Sequence, residues 1–331
     1  MTSDTNDVLV IGAGVIGLTS AVALAESGHR VRVVSRDASG DTTSAVAGGL
    51  CWPYRIQPYE KAVRWSVRSF QVLADLARRP EETGSRMADG AMADGGGDGH
   101  LGGDGLADWY AAVPGMRRAH PHELPGGFAS GWRARTPLVD MPVHLRYLER
   151  RLVRAGGTVQ RRAVTSLEEA GREAGTVVNC SGLGARDLVS DPEVHPVQGQ
   201  LVVVANPGVE EWFVSAGSGA ETTTYVLPQP YGLVLGGTAR EHAWSREPDP
   251  AVAAAIVARC ADRFPELAGA RVLAHKVGLR PARPAVRLAA ERLPGGALCV
   301  HNYGHGGAGV TVSWGCADEV VRLVGEAAPA A

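Results

Sequence analysis

Lysine is nearly missing from this chain. Only Lys61 and Lys276 stand among 33 basic residues, the rest being arginine, and 35 acidic residues bring the formal charge to −2. With no excess of either sign and no basic run, nucleic acid is not an expected partner. Aromatic residues are sparse, at 5%. The five cysteines (Cys51, Cys180, Cys260, Cys299 and Cys316) are odd in number and form no CxxC pair. That excludes a disulfide framework and reads as buried, reduced thiols in a cytoplasmic protein. One uncharged stretch, Val8 to Ala25, approaches the length of a membrane span. Asp4 and Asp7 flank it where a signal peptide wants Lys or Arg, and Gly12, Gly14 and Gly17 interrupt it, so no membrane is expected. The closing Ala-Pro-Ala-Ala matches no export or peroxisomal address, in keeping with a cytoplasmic location.

What the chain does have is glycine: 43 of 331 residues, about 13% against an ordinary ~7%. Hydrophobic residues at 45% and charged residues at 21% describe a globular chain able to build a core, as one large domain or two interleaved ones. Val8–Ile11 reads as a buried strand, Leu18–Glu26 as a helix ending at Ser27-Gly28, and Val31–Val34 as a second strand. Together they make a βαβ unit, hence a parallel sheet. Further helices are expected over 60–79, 143–155, 251–264 and 310–325. Strands are expected over 176–179, 200–204, 225–227 and 231–235. Nine glycines fall between Gly84 and Gly105 with no apolar period, which predicts a loop or insertion. Asp94, Asp98 and Asp104 there lack EF-hand spacing, and no metal site is expected.

Three constellations carry chemistry. Gly12-Ala13-Gly14-Val15-Ile16-Gly17 follows a strand and opens a helix, the context that makes GxGxxG a dinucleotide signature. Gly12 permits the tight turn, Gly14 the approach of a pyrophosphate and Gly17 close packing of helix on strand, with the helix dipole facing the phosphate. The second strand ends in Ser35-Arg36-Asp37 rather than directly in an acidic residue, which weakens a plain NAD reading. Arg36 is either an adenosine contact or a solvated surface arginine. Thr42 to Leu50, small and hydroxylated, suits backbone lying on a flat ligand but is also an ordinary loop composition. His301 to Thr311 is a second glycine-wrapped helix entrance, implying another place where backbone approaches a ligand.

His301-Asn302-Tyr303-Gly304, Gly306-Gly307, Gly309 and Gly315-Cys316-Ala317 are similar to the signature of the FAD-dependent D-amino-acid oxidases. Asp7–Gly17, Thr42–Tyr54, Val178–Gly182, Gly199-Gln200, Tyr225–Pro228, Gly236-Gly237 and Gly278-Leu279-Arg280-Pro281 resemble further segments of that family, in its order over nearly the whole chain. Cys299, where an aliphatic residue is usual, is one departure.

The resemblance implies an α/β (α+β) fold: a Rossmann-like FAD-binding domain (1–50, 141–190, 276–331) interleaved with a mixed-sheet substrate domain (51–140, 191–275). It implies non-covalent FAD and oxidative deamination of neutral D-amino acids to 2-oxo acids, ammonia and hydrogen peroxide, with oxygen as acceptor, in a homodimer. Arg280 matches the carboxylate clamp, in preference to nearby Arg283, and a planar fork suits that task better than lysine. Tyr225 would assist it and the Gly307 carbonyl would take the amine. Flavin contacts would come from Gly12, Ala13, Gly14, Val15, Ile16, Gly17, Arg36, Asp37, Thr42, Thr43, Gly48, Gly49, Leu50, Val164, Ser181 and Gly182. Arg280, Gly304, Gly306, Gly307, Gly309, Val310 and Thr311 complete that set. His301 and His305 are expected to be structural.

The family's second active-site tyrosine is absent, with Glu221 and Ala239 at its two usual places, so a more open pocket is expected. Arg240 keeps a D-aspartate oxidase open as an alternative. A glycine or sarcosine oxidase, some of which tether flavin to cysteine, a quinone-linked dehydrogenase and a non-catalytic flavin sensor also remain.

Overall fold

The computed structural model describes residues 7–53, 55–94, 107–216 and 223–327. Its strands, in chain order, are β1 (Asp7–Ile11), β2 (Arg30–Ser35), β3 (Ser85–Asp94), β4 (Arg117–Arg118), β5 (Gly131–Val139), β6 (Thr158–Arg161) and β7 (Thr176–Asn179). They continue with β8 (His195–Val204), β9 (Trp212–Ala216), β10 (Thr224–Gln229), β11 (Gly232–Gly236), β12 (Arg240–Glu241), β13 (Val272–Arg292) and β14 (Leu298–His305). One sheet holds them in the order β4-β5-β3-β9-β10-β11-β8-β13-β14-β7-β1-β2-β6, with β12 beside β8.

Two halves of this sheet obey different rules. β14, β7, β1, β2 and β6 run parallel. Val8–Val10, Val177 and Val178 are wholly buried, because helices cover both faces and parallel strands then read as unbroken apolar runs. The helices Val15–Glu26 and Tyr59–Leu76 both pack on Gly309–Glu326 beside this half. The other half is antiparallel except for β3 beside β9. The 21-residue β13 joins them: its first part pairs with β8 and its second with β14.

The expected helices form, at Met141–Arg154, Pro250–Ala261 and the three sites above, and Val8–Ala25 resolves into β1, a turn and a helix. Among the described residues no helix is long and apolar enough to cross a membrane. One expectation fails. Residues 85–94 of the predicted glycine-rich loop are strand β3, paired with β5 and β9. The small residues that hid its pattern are required there. A Cβ on Gly90 would lie 2.1 Å from the Trp212 carbonyl and 2.3 Å from its ring. The rest of that segment, 95–105, with Asp98, Asp104 and the side chain of Asp94, lies outside the described residues. Among the described residues no group of metal-ligating side chains assembles.

All five cysteines are buried thiols. Burial also governs His144, whose Nδ1 donates to the Thr83 carbonyl at 2.8 Å while Nε2 has no partner. Desolvation pulls its pKa down to about 4. The unfolded chain therefore takes up this proton first as pH falls, so the stability held above the ordinary histidine pKa is lost on the way down. Between pH 6.5 and 5 the loss from His144 amounts to about 1.6 kcal/mol, the slope rising toward about 1.36 kcal/mol per pH unit as the unfolded imidazole becomes protonated. Denaturant titrations of the parent and of His144→Gln should differ in slope by about that amount over this interval. Parallel curves would refute the assignment.

Candidate active site

The parallel half ends in two helix entrances that meet. Gly14 caps the Val15–Glu26 helix in extended conformation with no side-chain cap, and the first turn carries no acidic residue. The Gly309–Glu326 helix likewise starts from Ala308 with no side-chain cap and no acid in its first turn. A Cβ on Gly309 would lie 3.9 Å from side-chain carbons of both Val15 and Ile16, so the two starts are in contact. Each stands at the carboxyl end of a parallel strand, β1 or β14, where phosphate and anionic rings bind.

Close approach explains the glycines of the first turn. Gly12 has φ +110, and a Cβ there would lie 2.4 Å from the Cys180 carbonyl oxygen. A Cβ on Gly17 would lie 1.9 Å from the Gly12 carbonyl oxygen. Behind the turn, Ser181 donates its amide and hydroxyl to the Asn179 side chain, leading into Gly182. Val164 is half-buried against the core that includes Ile11 and Val34.

The loop from Thr42 to Pro53 is fixed on every side. Ser44 accepts the Val15 amide through its hydroxyl at 3.0 Å, and Thr43 donates to the Leu279 carbonyl at 2.9 Å. Gly48 accepts from Gln229 and Gly49 from the Val139 amide. Thr311 makes two bonds to Trp52, accepting its amide at 3.1 Å and donating to its carbonyl at 3.0 Å. The Thr311 hydroxyl thus fastens this loop to the second helix, and what it offers a cofactor is backbone. Leu50 bridges to Leu138, and Trp52 packs against Trp109 and Trp212. Arg36, at the end of β2, is largely exposed and ion-paired with Asp37 at 3.0 Å.

Two helix ends in contact, neither capped by the side chain of its own first residues, lined by a backbone-rich loop and a turn with no room for side chains, fit the FAD that the sequence resemblance implies. Gly12–Gly17, Thr42–Leu50 and Gly304–Thr311 would hold it, with chemistry suited to a pyrophosphate at one end and a ring that gains negative charge at the other.

Arg280 and Tyr225 come together beside that entrance. Both are half-buried. The Arg280 Nη1 donates to the Thr238 carbonyl at 2.9 Å, and its guanidinium lies close enough to the Tyr225 phenol to act on it electrostatically. Burial raises the Tyr225 pKa and Arg280 opposes the rise, so the phenol stays protonated at neutral pH. A Cβ on Gly307 would lie 3.4 Å from Arg280 Cδ, placing that loop against the guanidinium stem. Arg283 lies elsewhere, ion-paired with Asp191 and Glu193. Neither histidine is available for chemistry. His305 is buried with its Nε2 3.7 Å from the Cys316 sulfur, and desolvation takes its pKa down to about 3. His301 lies between Asn179 and Glu291.

Ser44 and Thr238 were not singled out from the sequence. Thr238 follows Gly236-Gly237, so its signal was positional rather than chemical. Two surface hollows, of about 440 and 490 Å³, are lined by none of Tyr225, Arg280 or Gly307. Convergent polar groups locate this site.

Known proteins agree with the geometry. Residues 7–323 match the DAO family, FAD dependent oxidoreductase. A D-amino-acid oxidase of Streptomyces coelicolor is 58% identical over 96% of each chain, and one of Rubrobacter xylanophilus 50% over 96% of each. A human D-aspartate oxidase is 36% identical over 98% of this chain and 96% of its own. Among solved structures, glycine oxidase from Geobacillus kaustophilus superposes with TM-score 0.79 over 98% of this chain and 95% of its own, at 19% identity, a likeness of fold alone. The chain belongs to the DAO family of FAD-dependent oxidoreductases.

Proposed function

We propose that this chain oxidises neutral D-amino acids to 2-oxo acids and ammonia, passing the electrons to oxygen as hydrogen peroxide. One observation carries the reading: the Arg280 fork, held by the Thr238 carbonyl with the Tyr225 phenol nearby, sits beside the glycine-rich entrance that fits FAD. The names of the relatives at 58% and 50% identity support it.

Bound FAD supplies the acceptor for a hydride leaving the α-carbon. The protein supplies orientation. The Arg280 guanidinium would take both carboxylate oxygens through paired N–H donors, and the neutral Tyr225 phenol would donate a further hydrogen bond. The Gly307 carbonyl would accept from the amine. Fixing carboxylate and amine leaves one enantiomer with its α-hydrogen toward the cofactor, which is how a rigid two-point hold selects the D series.

Specificity for a neutral side chain is supported by how the nearby cations are used. Arg259, which acts on Tyr225 electrostatically, is bound to the Thr224 hydroxyl and to the Thr223 and Gly237 carbonyls. Arg240, in β12, also has a partner. Ala239 is half-buried with no ring to close the pocket, and Glu221 lies outside the described residues. Cys316 is fully buried and turned to His305, which favours a non-covalent cofactor over a cysteinyl tether. The reading includes a cytoplasmic homodimer, on the family resemblance, and a FAD-binding unit of residues 1–50, 141–190 and 276–331. The parallel strands β1, β2, β6, β7 and β14 all falling within those limits supports that division.

Anaerobic mixing with D-alanine, D-methionine or D-valine should bleach the bound flavin, and the L-isomers should not. A peroxide assay should rank these three above D-aspartate; the reverse ranking would move the assignment to a D-aspartate oxidase, and no bleaching by any D-isomer to a flavin sensor.

Replacing Arg280 by Met should raise KM by about thirtyfold or more, since loss of one member of a buried charged pair costs about 2–5 kcal/mol. Tyr225→Phe removes one hydrogen bond to a charged group, about 1.5–3 kcal/mol, and should raise KM at least about tenfold. An unchanged KM in either variant would refute the role of that residue.

A further inference from the structure

Tyr225 and Arg280 belong to strands that are not neighbours. The order is β10-β11-β8-β13, so with about 4.8 Å between strands the two backbones stand roughly 14 Å apart. Each side chain meets the other only by lying flat across the strand beside it. Both of those strands carry glycine where this happens.

Tyr225 pairs across from Gly236. A Cβ on Gly236 would lie 1.9 Å from Tyr225 Cζ, and one on Gly237 2.7 Å from the phenol oxygen. Arg280 pairs across from Val197, and its guanidinium leans along β8 over Gly199. A Cβ on Gly199 would lie 2.4 Å from Nη2, 2.5 Å from Cζ and 2.6 Å from Nη1. Gly199 lies within regular β8 and is not among the glycines with positive φ, so its conformation is open to any residue. Only the space above it demands glycine. The next residue completes the arrangement: the Gln200 amide donates to the Thr238 hydroxyl at 3.0 Å, fixing the residue whose carbonyl holds Nη1.

We propose that Gly199 is a positioning residue for the carboxylate clamp, setting the plane of the Arg280 fork by presenting bare backbone beneath it. Gly236 does the same for the Tyr225 ring. This rests on the oxidase reading for its substrate, but the steric relation does not. Because the guanidinium is the free end of a flexible side chain, a methyl group on Gly199 turns the fork aside and leaves the fold intact. Carboxylate binding is lost while cofactor binding is kept.

The test compares FAD-loaded parent, Gly199→Ala, Arg280→Met and the double variant. Benzoate serves as a probe that has the carboxylate and no α-hydrogen to lose. Gly199→Ala should keep full FAD content and thermal midpoint, raise the benzoate Kd and the KM for D-alanine together by about tenfold or more, and lower kcat far less. In the Arg280→Met background the same change should leave the benzoate Kd within twofold, since the group it displaces is gone. A benzoate Kd within twofold of the parent in Gly199→Ala overturns the proposal, as does a variant that fails to fold or loses FAD. An equal loss in both backgrounds overturns it too. If the parent turns over no D-amino acid, the oxidase reading fails, while the benzoate comparison still decides the role of Gly199.

Discussion

A Cβ on Gly17 would sit 1.9 Å from the Gly12 carbonyl oxygen, and one on Gly12 would sit 2.4 Å from that of Cys180. At those distances strand, turn and helix are in backbone contact, with nothing between them. This contact sets where the Val15–Glu26 helix begins and brings its first residues against Gly309. The loop from Thr42 to Pro53 is then fastened to both helices, through Ser44 to one and Thr311 to the other. A methyl group at the first turn would separate all of these pieces at once. Glycine's conformational cost is accepted here because the alternative is steric exclusion.

The same logic produces a different result in the other half of the sheet. Beside the parallel strands, bare backbone lets main chain approach main chain. In the antiparallel half it lets two side chains cross over strands to reach each other. β13 connects the two uses. It pairs with β8 where Arg280 crosses Gly199 and goes on to pair with β14, which leads into the second helix entrance. A single strand therefore carries Arg280 and sets its distance from the loop that opens the second helix.

Much of this was legible in the sequence, for physical reasons that differ by element. The parallel strands β1 and β7 are buried on both faces and read as apolar runs. Gly12 to Gly17 sits in a context that leaves one reading, and the neighbourhood of Arg280, Tyr225 and Gly307 follows from segments resembling a family. β3 was not legible: it lies between β5 and β9 and against Trp212, where small residues satisfy packing and erase the alternation that marks a strand. The Thr311 hydroxyl could not be assigned either, since its partner Trp52 is 259 residues away in sequence. Nor could Gly199, whose requirement comes from a side chain arriving from the neighbouring strand.

The buried cysteines bear on the life of the molecule in its own product. On the proposed reaction each turnover releases peroxide, and peroxide attacks thiolate rather than thiol. Burial pushes the pKa of Cys180, Cys260 and Cys299 up to about 12 and raises those of Cys51 and Cys316 as well. At neutral pH the anionic fraction of a thiol with a pKa near 12 is of order one in 10⁵. A catalyst built this way tolerates the oxidant it makes. By the same token none of its five buried thiols is suited to sensing that oxidant.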